Sequence, residues 1–109
     1  MKIKKYGLKA RVWVLKDDKD RGRLEMVVLK NDKGSYGIIE NVFVKPKHRG
    51  KGIAAALLEK AQELAKEKHF YKIVLTCSNE LVEFYKKLGF EWQGSGQAYC
   101  MRVDFNEYM

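Results

Sequence analysis

Apolar and polar residues alternate over the first third of the chain, recur at helical spacing in the middle, then alternate again in short runs. Residues 8–16 alternate around Val12 and Val14, with Trp13 on the opposite face, and predict a strand. Residues 17–22 (Asp-Asp-Lys-Asp-Arg-Gly) are a turn cluster, and residues 23–30, rich in Leu, Met and Val, predict a second strand. Residues 31–35 (Asn-Asp-Lys-Gly-Ser) carry hairpin chemistry. Residues 36–45, β-branched and aromatic, predict a third strand, which Pro46 ends because it has no N–H for the ladder. After Gly50-Lys51-Gly52 the period changes. Ala54, Leu57, Leu58, Ala61, Leu64 and Ala65 form one apolar helical stripe, and Glu59, Lys60, Glu63, Lys66 and Glu67 fill the wet face. Residues 72–76 predict a short buried strand. Residues 80–88 predict a second helix with Leu81, Phe84, Tyr85 and Leu88 on one face, closed by Gly89 in a left-handed position. Residues 90–93 and 98–105 predict two last strands around a Gly-Ser-Gly turn.

The order β-β-β-α-β-α-β-β over 109 residues predicts one α/β domain spanning 1–109. Its sheet is expected to be mixed and mostly antiparallel, with two main helices. The strand–helix–strand unit over 37–76 requires a right-handed crossover, so its two strands should be parallel neighbours at the sheet's centre. The longest apolar run is 6 residues, 53–58, too short to span a membrane. The opening stretch, residues 1–10, has charge but no apolar core, so no signal peptide is expected and the cytoplasm is the expected compartment. Two cysteines, Cys77 and Cys100, make no disulfide framework. His48 and His69 lie far apart without metal-ligand spacing, so no metal is expected.

Charge narrows the partners. The net charge is +8, and residues 1–23 carry nine basic and three acidic side chains. A positive field favours anions. The most loaded segment is residues 45–54, Lys-Pro-Lys-His-Arg-Gly-Lys-Gly-Ile-Ala. A strand ends, glycines expose backbone N–H groups, and a helix begins with its positive dipole end. Lys45, Lys47, Arg49 and Lys51 surround the same place, which points to a phosphate or pyrophosphate. A solvated helix cap with incidental lysines is the rival reading. The P-loop pattern is absent. Gly50-x-Gly52-x-x-Ala55 fits the loose dinucleotide fingerprint, but no ribose-binding acid follows the next strand and only one βαβ unit is present.

Val44-x-Pro46-x-His48-Arg49-Gly50-x-Gly52-Ile53-Ala54, followed by Leu57-Leu58, resembles the acetyl-CoA signature of the GNAT acetyltransferase superfamily. The family's Gln/Arg-x-x-Gly-x-Gly/Ala falls on Lys47, Gly50 and Gly52, with Lys in place of Gln/Arg. Phe84-Tyr85-Lys-Lys-Leu-Gly89-Phe90 resembles its aromatic-Tyr-x-x-x-Gly-Phe helix end. Within the superfamily the nearest pattern is that of the glucosamine 6-phosphate N-acetyltransferases, through residues 38–42 and 72–78. There are departures. Thr76 stands where that group has an acid, Leu81 where it has an Asn, and the connection at 17–22 is too short for the two helices that follow its first strand. The cofactor half is thus complete and the acceptor half reduced.

The resemblance implies a GNAT-like fold and an N-acetyltransferase that passes an acetyl group from acetyl-CoA to a primary amine by direct attack. It implies that the cofactor lies along Val42, Phe43 and Val44 and on the turn of Arg49, Gly50, Lys51, Gly52, Ile53 and Ala54. Asn79 and Tyr85 would flank the pantetheine, and Asn79 is alternatively a helix cap. The oxyanion would take a backbone N–H near Phe43 or Val44 on a bulged strand, and Tyr85 would be the general acid. Glu40 shares a strand face with Ile38, Val42 and Val44 if no bulge intervenes. A desolvated carboxylate there suits a general base, directly or through a water, whereas a cross-strand ion pair with a lysine is its plain structural reading. Cys77, without a His partner in the sequence, reads as a small buried residue and not a nucleophile.

The acceptor is read as an amino sugar, a small amine or a peptide. The reduced acceptor half leaves an apolar sheet surface, which favours a homodimer with its interface near the N-terminal strands. The non-enzymatic alternative is a basic module on this fold that binds nucleic acid or protein without turnover. Nucleic acid is disfavoured because the aromatics sit within apolar patterns and not among arginines on one sheet face.

Overall fold

The computed structural model describes the backbone of residues 2–7 and the whole of residues 11–105. One sheet of eight strands carries both helices. The strands are β1 (Lys2–Gly7), β2 (Arg11–Lys16), β3 (Gly22–Asn31), β4 (Gly34–Ile39), β5 (Phe43–Val44), β6 (Lys72–Leu75), β7 (Glu91–Trp92) and β8 (Met101–Asp104). Their order across the sheet is β1-β2-β3-β4-β6-β8-β7, and β5 extends the β4 side of β3. Helix α1 spans Ile53–Glu67 and α2 spans Val82–Lys87.

The mixed, mostly antiparallel sheet is as expected, and β4 and β6, joined through α1, are its parallel pair, with Gly37 opposite Ile73 and Ile38 opposite Val74. The described residues form two strands more than the periodicity predicts, one at residues 2–7 and one from a break in the predicted third strand. Residues 2–7 form β1 against β2, although Lys-Ile-Lys-Lys-Tyr-Gly alternates poorly. Residues 8–10 of the predicted first strand lie outside the described residues. The short connection at 17–22 therefore follows the second strand, not the first.

The helices cover one face of the sheet. Trp13, Leu15, Leu24, Met26, Ile39, Ile73, Leu75 and Met101 point to it from the strands, and Ile53, Leu57, Leu58, Ala61 and Ala65 meet them from α1. Leu57 and Leu58 are fully buried, and each contributes about 1.5–3 kcal/mol by leaving water. At Gly37 a Cβ would meet the Met26 sulfur at 2.5 Å, so glycine there lets Met26 lie over β4. The Gln62 amide donates to the Leu88 carbonyl at 3.0 Å and ties α1 to the end of α2. Gly89 follows at φ +97°, the left-handed closure the sequence calls for. The β2–β3 turn is locked by Asp17, whose carboxylate takes Arg21 Nε at 2.7 Å and Nη2 at 3.0 Å. Hydrogen bonding from the Arg21 side chain holds the Asp17 carboxyl well below the usual carboxylate range.

Candidate active site

The predicted third strand breaks in two, and the break builds the site. Along β3, Met26 faces Ile39 and the Glu40 N–H donates to the Glu25 carbonyl at 2.9 Å. Further on, Arg23 faces Phe43 and Gly22 faces Val44. The register has slipped by one residue, so Glu40 and Asn41 both stand opposite Glu25. This is a β-bulge, which bends the strand away from its neighbour. Asn41 secures it by donating to Glu25 Oε1 at 2.9 Å.

Among the described residues β5 pairs only with β3 beyond the bulge, which leaves its other edge open. The Lys45 N–H donates to the Arg21 carbonyl at 2.8 Å. Alternation along an antiparallel ladder then commits Phe43 to Arg23 and turns the Val44 N–H to the open edge. Between the Phe43 and Val44 candidates for an oxyanion donor, Val44 is the one left available.

Pro46–His48 forms a 3₁₀ turn rather than a bare strand stop, and Gly50 and Gly52 follow at φ +80° and +79°. Gly52 is the residue that precedes α1. A Cβ on either glycine would meet nothing within 4 Å, so the glycines are needed for backbone conformation, and the space before them is empty of protein. Among the described residues no protein acceptor takes the N–H of Gly50, Lys51 or Gly52.

These parts enclose a cleft of about 530 Å³. Val42, Phe43 and Val44 form one wall. Arg49, Gly50, Gly52, Ile53 and Ala54 form the floor, and Tyr85 stands opposite. The structure thus gathers nine of the sequence-predicted site residues in one place. Ala55, Leu81 and Phe84 also line it and were not foreseen as site residues. The helical stripe around Tyr85 was the signal for Leu81 and Phe84. Phe43 at 46% and Leu81 at 45% exposure are two large apolar side chains at the cleft that neighbouring protein leaves uncovered.

The expected ring of four cations is looser than the spacing suggested. Arg49 remains on the cleft, donating from Nε to the Val44 carbonyl at 3.0 Å, with its guanidinium 5.8 Å from the Phe43 ring centre. Lys45 turns to Asp20 at 3.4 Å. Lys51 is exposed with its ammonium 3.5 Å from His48 Nδ1, and is not on the lining. Burial first, then the charges of Lys51, Lys47, Arg21 and Lys45, push the His48 pKa down, so its imidazole is neutral at pH 7.

Two expectations are corrected. Glu40 is exposed, not desolvated on an apolar stripe, because the bulge places it beside Asn41 at the strand's bend. Asn79 is exposed, opens a 3₁₀ turn (Asn79–Leu81) before α2, makes no capping hydrogen bond and does not line the cleft.

Tyr85 is 6% exposed and packs edge-on to Phe84 and Phe90, with ring centres 5.1 and 5.7 Å away. Burial, reinforced by Cys77 and Cys100, raises its pKa above the ordinary phenol value. The Cys77 N–H lies 3.4 Å from the Cys100 sulfur. Burial and that neighbour push the Cys77 thiol up to about 11, so it is protonated at pH 7 and no nucleophile. Among the described residues no cluster of His, Cys, Asp and Glu could hold a metal ion, and no helix is long and apolar enough to cross a membrane.

Comparison with known proteins gives one answer. The profile of the acetyltransferase (GNAT) domain family matches residues 9–92. A glucosamine 6-phosphate N-acetyltransferase from Trypanosoma brucei brucei is 43% identical over 56 residues, 51% of this chain and 38% of that protein. The match spans about two fifths of the length of this relative and of two others named glucosamine 6-phosphate N-acetyltransferase, from Oryza sativa and Dictyostelium discoideum. Among solved structures, glucosamine-6-phosphate N-acetyltransferase from Arabidopsis thaliana superposes with a TM-score of 0.69 at 24% identity, over 82% of this chain and 65% of that one. The PaiA N-acetyltransferase from Thermoplasma acidophilum, in complex with coenzyme A, superposes with a TM-score of 0.67 at 21% identity, over 86% and 60%.

Proposed function

This chain belongs to the GNAT acetyltransferase family, and from that premise we propose that it transfers an acetyl group from acetyl-CoA to a primary amine. The observation that carries the proposal is the single cleft joining an open strand edge, a glycine turn at a helix N-terminus and a buried tyrosine. The pyrophosphate lies on the N–H groups of residues 50–52 and the positive end of α1. The pantetheine runs along the open edge of β5 as an added strand. The thioester oxygen takes the Val44 N–H, which stabilises the charge that forms when the amine attacks.

Tyr85 gives its proton to the departing thiolate. Its raised pKa favours the protonated phenol that this role needs. Glu40 is proposed as the base through a water. Its exposure means that proximity to the bulge, and not desolvation, supports the assignment.

The named enzymes among the relatives favour turnover over a binding module on this fold. The acceptor is an amino sugar, a small amine or a peptide. A second copy of the chain docked at the N-terminal strands would help wall the acceptor side. Two unpaired cysteines support a reducing compartment, the cytoplasm. The test is to incubate the protein with acetyl-labelled acetyl-CoA and a panel of amines, amino sugars and peptides. Label on an amine nitrogen is expected. Label that stays on CoA, or appears only as acetate, overturns the reading.

A further inference from the structure

His48 closes the 3₁₀ turn that leads to the glycines, and its N–H donates to the Lys45 carbonyl at 2.9 Å. It is half-buried and directly precedes Arg49 on the floor of the cleft. The Lys51 ammonium lies 3.5 Å from His48 Nδ1. An ammonium only donates, so Nδ1 is the accepting nitrogen of a neutral ring. A proton at Nδ1 would set one cation against another.

The charged groups that act on the ring are all cations. Lys47 and Lys51 flank it in sequence, Lys45 precedes the turn, and Arg21 belongs to the β2–β3 connection. The acids beside them are committed. Asp17 holds the Arg21 guanidinium by two hydrogen bonds, and Asp20 pairs with Lys45. Among the described residues no carboxylate pairs with Lys47, Arg49 or Lys51. Burial and the surrounding charge keep the ring neutral. A doubly charged anion on the N–H groups of residues 50–52 reverses that field. Lys51 then has an anion to turn to, Nδ1 loses its donor, and the nearby negative charge favours imidazolium.

We propose that His48 takes up a proton from the solvent when the diphosphate of CoA binds at the glycine turn, so that cofactor affinity weakens as pH rises. This rests on the placing of CoA in the proposed function. The sign follows from linkage. The ring holds a proton more tightly in the complex than in the free protein. The added affinity is therefore complete below the free ring's titration and is lost as pH rises through that of the complex.

The probe is dephospho-CoA, which keeps the diphosphate but lacks the 3′-phosphate, whose own ionisation at about pH 6 would mask the effect. The chain has two histidines, and His69 lies beyond the far end of α1, a helix about 22 Å long, as an internal control. Both imidazoles are titrated by NMR with and without saturating dephospho-CoA, and a His48→Gln variant assigns the signals. The His48 midpoint should rise by about 1–3 pH units on binding, and that of His69 should stay. Calorimetry at neutral pH, in buffers of different ionisation enthalpy, should show net proton uptake. Affinity should be lower at about pH 8 than at about pH 5 by about 10-fold, the equivalent of one pH unit. His48→Gln, with circular dichroism unchanged, should bind without the uptake and with a flat pH profile. A His48 midpoint that does not rise, or uptake equal in the variant, overturns the proposal while CoA binding stands. Failure of the folded parent chain to bind dephospho-CoA and CoA at any pH overturns the placing of the cofactor as well.

Discussion

Tyr85 is buried with two aromatic neighbours edge-on, so its environment disfavours the phenolate. Because its pKa is raised, the hydroxyl stays protonated to higher pH than an ordinary phenol. The alkaline limb of kcat should therefore fall above about 10, the unperturbed value. Replacing Tyr85 with Phe removes only the hydroxyl. Turnover is expected to drop by about 10²–10⁴ while CoA affinity and melting temperature hold, which steady-state rates, calorimetry and a thermal melt would check. Equal turnover would make Tyr85 a packing residue. Its position was legible from the Phe-Tyr-x-x-x-Gly-Phe spacing. Glu40 was misjudged because alternation counts residues and cannot see a bulge. One extra residue opposite Glu25 changed its neighbours without leaving any mark in composition.

The bulged strand, the glycine turn and the start of α1 act as one unit. The turn was readable because Gly50 and Gly52 sit where a strand pattern ends and a helical one begins, and both are left-handed in the structure. The short edges were not. Strand β1 is lysine-rich and owes its place to pairing with β2 rather than to its own pattern. A pair of Val substitutions at Gly50 and Gly52 strains the turn, at about 1–2 kcal/mol per residue for the left-handed backbone, and fills the space before the N–H groups. Calorimetry should show CoA affinity reduced at least 10-fold, the loss of one or two good hydrogen bonds, in a variant whose circular dichroism is unchanged. Affinity equal to that of the parent would remove the pyrophosphate from this turn. Farther along α1, Leu58 packs without exposure. Leu58→Ala should cost about 2–5 kcal/mol in denaturant unfolding, the helix's contribution to holding the cleft floor in place.

Among the described residues, helices cover one face of the sheet only. Val14, Ile38 and Val74 belong to the other face by alternation. The parallel pair, both helices and the glycine turn before α1 were all legible, since each is written in local period and punctuation. What walls the acceptor side was not, because it depends on how strands splay and on what packs over them. Light scattering at micromolar protein should report a dimer if the proposed assembly is correct. A monomer with and without acetyl-CoA would leave an open cleft. The account as a whole stands or falls on amine-dependent release of the CoA thiol. With acetyl-CoA and the amine panel, the chain should release thiol faster in the presence of at least one amine than in its absence, in step with the acetylated product. Thiol release that no amine accelerates, from a folded protein that binds CoA, would contradict it.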